Sequence, residues 1–420
     1  MKIDVEVISR EMIKPSTPTS DHLRRYQFSF LDQLSPSVYI PLIYFFNLDQ
    51  QHSKRYIFNH LKTSLSKVLT HYYPLAGHVK DNYVDCNDKG VLFLEAQVSC
   101  QLSQMLQEPF PSDLNGFLPD GVSNVALAIQ VNFFTCGNVA IGARISHKIA
   151  DGSSLIAFIK NWAATARGDD GNFSAEFVAA ELFAPLDVDG FDRNISPAEK
   201  NVVLKRFVFS DSAITTLREK YARKTSTENQ IYPTRVEALS SFIWSRFQAS
   251  TQTKIGPKKP LMLVHAVNLR KRMNQPLPDD SFGNFFRPAI TISSQDTGED
   301  CYNLVNKLRD SISKIDKNYV EKLQDGANEY DLMKRMAERF NKGEFITFNY
   351  TSLCRYPVYE ADFGWGRPVW VAWGGLPYKN LTVLMDTKSG DGIEAWIHLK
   401  EEDLAKFVAD QQLLDRLNFS

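Results

Sequence analysis

The stretch ARISHKIADGSSLIAF, residues 143–158, contains the change of pattern that decides how this part of the chain folds. In its first residues apolar and polar side chains alternate, which is typical of a β-strand. From Leu155 onward apolar residues recur at helical spacing, which predicts an amphipathic helix of about four turns that ends before Gly168. This strand–turn–helix pattern places His147 and Asp151 on the connecting turn.

His147 has two interpretations on the local pattern. It shares a strand face with Ala143 and Ile145, and a lone histidine in such a setting is more often a satisfied core residue than a base. Functional side chains, however, concentrate on loops that rigid elements hold in place. The residues themselves leave both interpretations open.

Asp151 also has two interpretations. It could orient the imidazole of His147, as the aspartate of a catalytic triad does. Alternatively, Asp151 or Ser153 could cap the helix that follows, because a side-chain oxygen there satisfies free N–H groups of the first turn. We favour the capping role for Asp151, since the strand-to-helix junction turns its carboxylate towards backbone amides.

Composition limits the function classes. The chain has 420 residues, of which 43% are hydrophobic and 23% charged, as expected of a soluble protein with two or three domains. Its formal net charge of −1 predicts neither a nucleic-acid partner nor binding to an anionic membrane. The 28 phenylalanines and 16 tyrosines favour a large aromatic core over an apolar cavity.

Cysteine usage and the apolar segments suggest a location. The five cysteines are widely spaced, which predicts neither a disulfide framework nor a cysteine zinc site and favours a reducing compartment. The first residues alternate and include acids, unlike a signal peptide, and the apolar run 38–48 is too short to cross a bilayer. We therefore expect a cytosolic protein, and a monomer because no heptad or apolar stripe stands out.

Strands and helices are predicted in both halves of the chain, so two mixed α/β domains are expected. Thr234 and Glu237 form a capping-box pattern at the start of a helix in the second half. Residues 168–200 are acidic and rich in glycine, proline and aspartate, as is typical of a segment between domains. The predicted divisions are an N-terminal domain, a crossover loop and a C-terminal domain, at residues 1–185, 186–204 and 205–420.

Several reaction types lack their sequence signatures. The chain has no G-x-S-x-G and no cysteine next to a second histidine, so a covalent nucleophile is not indicated. H-E-x-x-H is absent and the eight histidines are scattered, so no metal site is predicted. DFGWG at 362–366 lacks the glycine-rich loop and H-R-D of a kinase, and by itself indicates a rigid turn bent at its glycines.

Two signatures considered together point to a family. HKIADG at 147–152 precedes DFGWG at 362–366 by about 210 residues, and in this combination the chain resembles the plant BAHD acyltransferases, which use acyl-CoA donors. The resemblance covers essentially the whole chain and is strongest with the alkaloid-acylating branch. Further matching motifs are YPLAG (73–77), VDCNDKGVLFLEA (84–96), NLRKRMNQPLP (268–278), FGN (282–284) and LMDTKSGDGIEAWI (384–397).

The resemblance implies a fold and a mechanism. The fold would be two similar α/β domains of the chloramphenicol acetyltransferase type, with a solvent channel between them. His147 would remove the proton from an acceptor alcohol or amine, which attacks the thioester carbonyl directly without an acyl-enzyme. An imidazole is suited to this task near neutral pH. Of the two interpretations of His147, the resemblance therefore favours the catalytic base. It also implies acyl-CoA as co-substrate and no metal.

The expected activity is acetyl transfer from acetyl-CoA to a hydroxyl of an alkaloid in plant specialised metabolism. A close alternative within the class is a terpenoid or phenolic alcohol as acceptor, with a different acyl-CoA as donor. Alternatives from other classes are a non-catalytic scaffold and a hydrolase in which His147 activates water against a thioester. Pocket residues alone can change acceptor and donor, so only the branch of the family is predicted.

The resemblance also assigns roles to residues near the signatures. Asp151 is expected to face away from the pocket and to pair with an arginine, for which Arg270 is our candidate. Asp362 is often assigned to catalysis in this family, yet its turn is usually remote from the histidine, so we expect it to be structural. Structural roles are likewise expected for three further residues of that turn, Gly364, Trp365 and Gly366.

On the donor side, the resemblance places a group of small and polar residues along the CoA tunnel, namely Gly283, Asn284, Thr351, Ser352 and Asp386. The hydroxyl of Thr351 or a backbone N–H nearby would stabilise the oxyanion. Four cations are either partners of the CoA phosphates or solvated surface charges: Lys205, Arg206, Lys271 and Arg272.

Overall fold

A computed structural model of the chain describes residues 3–49, 52–107, 111–169, 175–187, 201–224, 230–251, 259–293 and 301–417. The strands of this part, β1 to β17 in chain order, are Val5–Ile13, Arg25–Gln27, Tyr39–Phe46, His78–Val79, Tyr83–Asp85, Val91–Val98, Leu127–Phe133, Val139–Ser146, Val202–Phe209, Arg223–Lys224, Gln230–Ile231, Leu261–Asn268, Phe286–Ser293, Ile346–Ser352, Trp370–Trp373, Leu381–Asp386 and Ile393–Lys400.

The α-helices of the same part, α1 to α12 in chain order, are Phe30–Leu34, Lys54–His71, Leu102–Gln107, Gly152–Arg167, Ala179–Leu182, Asp211–Lys220, Arg235–Thr251, Cys301–Ser313, Lys317–Gln324, Ala327–Asn341, Glu401–Val408 and Gln411–Leu414. None of the helices in these described ranges is long and apolar enough to cross a membrane.

The chain forms two units, each assembled from separate stretches of sequence. The first consists of residues 1–193, 277–285 and 356–375, and the second of residues 194–276, 286–355 and 376–420. Each unit contains one six-stranded sheet of mixed direction, which confirms the predicted α/β class. The predicted crossover at 186–204 lies mostly outside the described residues, so the predicted divisions of the chain stay a prediction.

The sheet of the first unit has the order β1-β6-β7-β8-β3-β15. Strands β6 and β7 run parallel, while β7 and β8 form an antiparallel hairpin. Strand β8 contains the alternating residues before His147, as their pattern predicts. Strand β7 is buried along its whole length, and β3 is buried from its second residue onward. The four-residue β15 pairs with β3 antiparallel and completes the edge of the sheet.

Helix α4 begins at the turn that follows β8, as the change of period predicts. Asp151 is its N-cap, and Gly168 at its C-cap adopts a left-handed φ of 80°, which glycine accepts without strain. The buried face of α4 packs against α2, where the indole N–H of Trp162 donates to Ser64 Oγ at 3.0 Å. Burial of this face fixes both ends of α4 relative to the sheet.

The sheet of the second unit has the order β13-β12-β14-β16-β17-β9, with β12, β14 and β16 parallel to one another. Helix α7 packs over this sheet, and its buried side chains include Phe242, Trp244 and Phe247. The predicted capping box is present at its start. Thr234 N–H donates to Glu237 Oε2 at 2.8 Å, and Glu237 N–H donates to Thr234 Oγ1 at 3.1 Å.

Candidate active site

His147 is the first residue after β8, on a turn that leads into α4. Its backbone N–H donates to the carbonyl of Val38 at 2.8 Å, which ties the turn to the chain just before β3. His147 is partly exposed, although the surrounding protein desolvates its ring. This combination of access and desolvation suits a catalytic group.

The N-terminus of α4 holds the segment 283–285 against the His147 turn. Both oxygens of the buried Asp151 carboxylate accept backbone N–H groups, from Ser154 at 2.9 Å and from Phe285 at 3.1 Å. Ser154 Oγ donates to the Gly283 carbonyl at 2.9 Å and accepts from the Gly283 N–H at 3.1 Å. The short segment is therefore fixed at both ends, with Asn284 between them.

Glycine is required at position 283 for two reasons. Its φ of 139° is strained for other residues, and a Cβ atom there would lie 3.0 Å from the Cβ of Ala179. We expected Gly283 to border the CoA tunnel. That role stays a prediction, whereas the observed geometry explains how the backbone turns Asn284 towards His147.

The side chain of Asn284 contacts the ring of His147. Asn284 Oδ1 lies 3.0 Å from His147 Nδ1, while Asn284 Nδ2 donates to the carbonyl of His147 at 2.9 Å. An amide oxygen can only accept, so Nδ1 carries the proton and Nε2 is the nitrogen that can take one up. The expected role of Asn284 at the CoA tunnel stays a prediction, because these contacts are with the histidine.

Asp32, on α1, holds the far side of Asn284. Its Oδ1 accepts from Asn284 Nδ2 at 2.8 Å and from the Asn284 N–H at 3.1 Å. No sequence motif identified Asp32 as a site residue. The available signal was Ser29 three residues earlier, a capping-box pattern that predicts a helix start but not a contact with position 284.

Burial shifts the pKa values of His147 and Asp32. It lowers the pKa of His147 below 6.5, and the neighbouring Asp151 carboxylate offsets only part of that effect. It raises the pKa of Asp32 to about 6, although hydrogen bonds from Ser29 and Asn284 favour the charged form. At neutral pH the cluster therefore contains a neutral imidazole and an ionised Asp32.

Asp151 acts as a helix cap in this structure, in agreement with the interpretation favoured above. Its oxygens point at backbone amides of α4 and of residue 285. Arg270, its expected partner, is fully buried after β12, where its N–H and guanidinium donate to Asn268 Oδ1 at 3.0 Å and 3.4 Å. The pairing of Asp151 with Arg270 stays a prediction.

The DFGWG turn has the rigid, glycine-bent form that its composition predicts. Asp362 Oδ1 accepts the N–H groups of Gly364 at 2.8 Å and Gly366 at 2.9 Å, and both glycines have positive φ, 103° and 98°. The carbonyl of Asp362 accepts from the guanidinium of Arg167, the last residue of α4. The carboxylate thus binds its own turn.

Aromatic packing fixes this turn to the first unit. The ring of Phe363 lies 4.9 Å from Trp162 of α4 and 5.8 Å from Phe46 of β3, and it stacks on Trp365 at 5.6 Å. These edge-on and stacked contacts hold the buried ring of Phe363 in place, while Gly364 and Gly366 stay exposed. Structural roles for Asp362 and Trp365 agree with this geometry and remain proposals until tested.

Three of the predicted donor-side residues lie together in the second unit. Thr351 and Ser352 end β14, and Asp386 ends the adjacent β16. Asp386 Oδ2 accepts the N–H of Arg355 at 2.6 Å, and its carboxylate lies 3.5 Å from the guanidinium of Arg235. Polar groups from two parallel strands therefore meet at the same edge of the sheet.

The four predicted phosphate partners differ in their surroundings. Lys205 is exposed on β9, whereas Arg206 forms an ion pair of 2.6 Å with the buried Glu394. Arg272 donates to the carbonyls of Ile312 and Ile315 near the end of α8, and Lys271 is exposed. Of the four, Lys205 and Lys271 are the exposed residues.

Known proteins resemble this chain over nearly its full length. The model of the Transferase family matches residues 3–414. Vinorine synthase from Rauvolfia serpentina and stemmadenine O-acetyltransferase from Catharanthus roseus are 38% and 36% identical, each over 100% of both chains. A limonoid 21-O-acetyltransferase from Melia azedarach is 36% identical over 98% of both chains.

Solved structures show the same fold. The crystal structure of vinorine synthase superposes with a TM-score of 0.85 at 37% identity and covers 99% of both chains. F. sporotrichioides TRI101, solved with coenzyme A and T-2, has a TM-score of 0.70 at 15% identity over 94% of this chain and 99% of that one. This chain belongs to the Transferase family, and it is an acyltransferase of the BAHD type.

Proposed function

We propose that the chain transfers acetyl from acetyl-CoA to a hydroxyl of an alkaloid, with His147 as general base. The observation that carries the proposal is the 3.0 Å contact between His147 Nδ1 and Asn284 Oδ1. It keeps the ring proton on Nδ1, so Nε2 is the nitrogen that accepts the hydroxyl proton. Membership of the acyltransferase family supports the reaction class.

The reaction proceeds by direct transfer. His147 Nε2 takes the proton of the alcohol while the alcohol oxygen bonds to the thioester carbonyl carbon, which gives a tetrahedral oxyanion. Collapse of this intermediate breaks the carbon–sulfur bond and expels the CoA thiolate. The imidazolium then returns its proton to the thiolate, so an alcohol and acetyl-CoA give an ester and CoA. No acyl-enzyme forms.

The alkaloid acceptor is inferred from relatives. Stemmadenine O-acetyltransferase and vinorine synthase match the chain over its full length at 36% and 38% identity. A terpenoid alcohol of the limonoid type is the second candidate, because a limonoid 21-O-acetyltransferase is also 36% identical. Both candidates are alcohols, so the mechanism at His147 is the same for either.

The proposal also covers residues that contact the donor. Thr351, Ser352 and Asp386 border the bound acyl-CoA, and the exposed Lys205 meets a phosphate. The ion pair between Arg206 and Glu394 makes that arginine the weaker candidate. The cytosolic location and the monomeric state belong to the same proposal.

The experiment is a panel assay. Purified protein is incubated with acetyl-CoA and hydroxylated alkaloids or limonoid alcohols, while thiol release and the mass gain of one acetyl group are followed. We expect thiol release that requires an alcohol and matches the amount of ester formed. Release without any alcohol would identify a thioester hydrolase, and absence of both signals across the panel would favour a scaffold.

A further inference from the structure

The segment 29–38, which contains α1, is fastened to the turn that bears His147. Besides the 2.8 Å bond from the His147 N–H to the Val38 carbonyl, the buried ammonium of Lys148 lies near three carbonyl oxygens of the segment. These belong to Asp32, Gln33 and Ser35, at 3.5, 3.3 and 3.4 Å. A cation at the C-terminal carbonyls of a helix is stabilising, so α1 is held at a fixed place beside His147.

Within this segment the two oxygens of the Asp32 carboxylate have different partners. Oδ2 accepts from Ser29 N–H at 2.9 Å and from Ser29 Oγ at 2.6 Å, which completes the capping box of α1. Among the residues that the structure describes, the donors to Oδ1 are both groups of Asn284, its N–H and its Nδ2. One oxygen therefore serves the helix, and the other serves the residue that contacts His147.

Two acceptors around Asn284 Nδ2 decide which way the Asn284 amide faces, and Asp32 Oδ1 is the one that a substitution can remove. The amide could in principle present either oxygen or nitrogen to the histidine ring. Asp32 Oδ1 and the His147 carbonyl both accept from Asn284 Nδ2, at 2.8 and 2.9 Å. Turning the amide over would place its oxygen against these two acceptors, which is unfavourable in a buried site. Oδ1 of Asn284 is thus directed at Nδ1 of His147.

We infer that Asp32 is a positioning residue for the base: through Asn284 it selects the tautomer of His147 that has its proton on Nδ1. The inference rests on the proposed function of His147 and adds a residue that touches neither substrate. Hydrogen bonds from residues around other functional histidines fix the ring tautomer in the same way. The contacts run from Asp32 to Asn284 and from Asn284 to His147.

Three variants separate this role from helix capping. Asp32→Ala removes both oxygens, whereas Ser29→Ala removes the capping hydroxyl and leaves Oδ1 in place as the matched control. Asp32→Asn is the conservative variant. Its amide oxygen is expected to face the two Asn284 donors, because the opposite orientation would leave two N–H groups facing an NH₂ group.

The tautomer is read directly by ¹⁵N NMR of histidine-labelled protein at alkaline pH, where the ring is neutral, with the His147 signals assigned by their loss in His147→Gln. In the native protein, Asp32→Asn and Ser29→Ala, we expect a protonated Nδ1 and an unprotonated Nε2. In Asp32→Ala we expect a substantial population with the proton on Nε2. This readout needs no substrate.

Kinetics with acetyl-CoA and an accepted alcohol provide the second readout. We expect Asp32→Ala to lower kcat by about 10- to 100-fold with little change in KM for acetyl-CoA, since general-base catalysis contributes on the order of 10²–10⁴. Ser29→Ala and Asp32→Asn should stay within about threefold of the native kcat, well short of that loss. Should Asp32→Ala fail to fold, Asp32→Ser replaces it, because serine is too short to reach Asn284.

The outcomes distinguish the two proposals. Native tautomers in Asp32→Ala or Asp32→Ser would overturn the role of Asp32, and so would a loss of kcat that Ser29→Ala shares. If the native protein acetylates no alcohol, the proposed function fails, yet the tautomer comparison still decides whether Asp32 controls the ring.

Discussion

Asp151 and Arg167 mark the two ends of one helix, and each end anchors one of the two signature motifs. Asp151 caps the start of α4 beside the His147 turn, and Arg167 in its last turn donates to the Asp362 carbonyl. Helix α4 spans Gly152–Arg167, so at 1.5 Å per residue the two ends lie about 24 Å apart. A carboxylate at that distance cannot take part in proton transfer at His147.

Asp362→Ala is therefore expected to affect stability rather than chemistry. It removes the acceptor of the Gly364 and Gly366 N–H groups, which lowers the free energy of unfolding by about 1–3 kcal/mol. Thermal denaturation measures the loss, and kcat per folded molecule should stay close to native. The exposed Asp49→Ala serves as the control. A normally folded Asp362→Ala protein without turnover would refute the structural role.

Asp151→Ala should impair both stability and turnover. The variant loses the N-cap of α4 and the acceptor for the Phe285 N–H, which costs about 1–2 kcal/mol of stability and loosens the segment with Asn284. We expect kcat to fall as well, and Asp151→Asn to be milder because one oxygen remains.

Asp316→Ala is the matched control for this change, since it removes the N-cap of α9, where Asp316 accepts the Tyr319 N–H at 2.8 Å. Both variants are measured by chemical denaturation and by initial rates. Equal kcat in the two variants at equal loss of stability would contradict a special role for the Asp151 cap.

The pKa of His147 predicts the acid limb of the pH profile. Burial lowers this pKa below 6.5, so the imidazole remains unprotonated, and able to act as base, at lower pH than an ordinary histidine. The acid limb of kcat/KM should have its midpoint below 6.5. The profile is repeated in Asp32→Asn, which removes the second ionisation of this range. A midpoint above 6.5 in both proteins would be incompatible with a desolvated base.

The raised pKa of Asp32 predicts that its effect on stability changes with pH in the opposite direction from that of most carboxylates. Its pKa is raised from 3.8 to about 6, so the folded protein binds this proton more tightly than the unfolded chain. The free energy of unfolding then falls as pH rises from about 4 to 6, by on the order of 2 kcal/mol. The measurement is the difference between native protein and Asp32→Asn across this range, in which other groups cancel. A difference that is flat or rises with pH would contradict the burial of an ionised Asp32.

The sequence predicted those elements of the fold that depend on residues close together in the chain. The strand before His147, the span of α4 and the Thr234–Glu237 capping box depend on alternation, period and neighbouring residues, and all three are confirmed. Strand β15 could not be found in this way. It has only four residues and joins β3 from a distant part of the chain, so its pairing depends on tertiary contacts.

The site shows the same division. The residues around His147 were recognisable from the HKIADG motif, whereas Asp32 lies 252 positions from the Asn284 that it contacts. A carboxylate at the third position of a helix has an adequate local explanation as part of a capping box. Nothing in its neighbourhood reveals that its second oxygen is used elsewhere, and only the three-dimensional structure brings the two together.

The central claim is that the neutral imidazole of His147 accepts the proton of the acceptor alcohol. The direct test measures the alcohol-dependent release of CoA from acetyl-CoA by His147→Gln. His22→Gln, at an exposed histidine, is the control, and both variants are first shown to be folded. We predict that His147→Gln loses about 10²–10⁴-fold in kcat while His22→Gln keeps the native rate. Ester formation by His147→Gln at a rate near that of the native protein would contradict the claim.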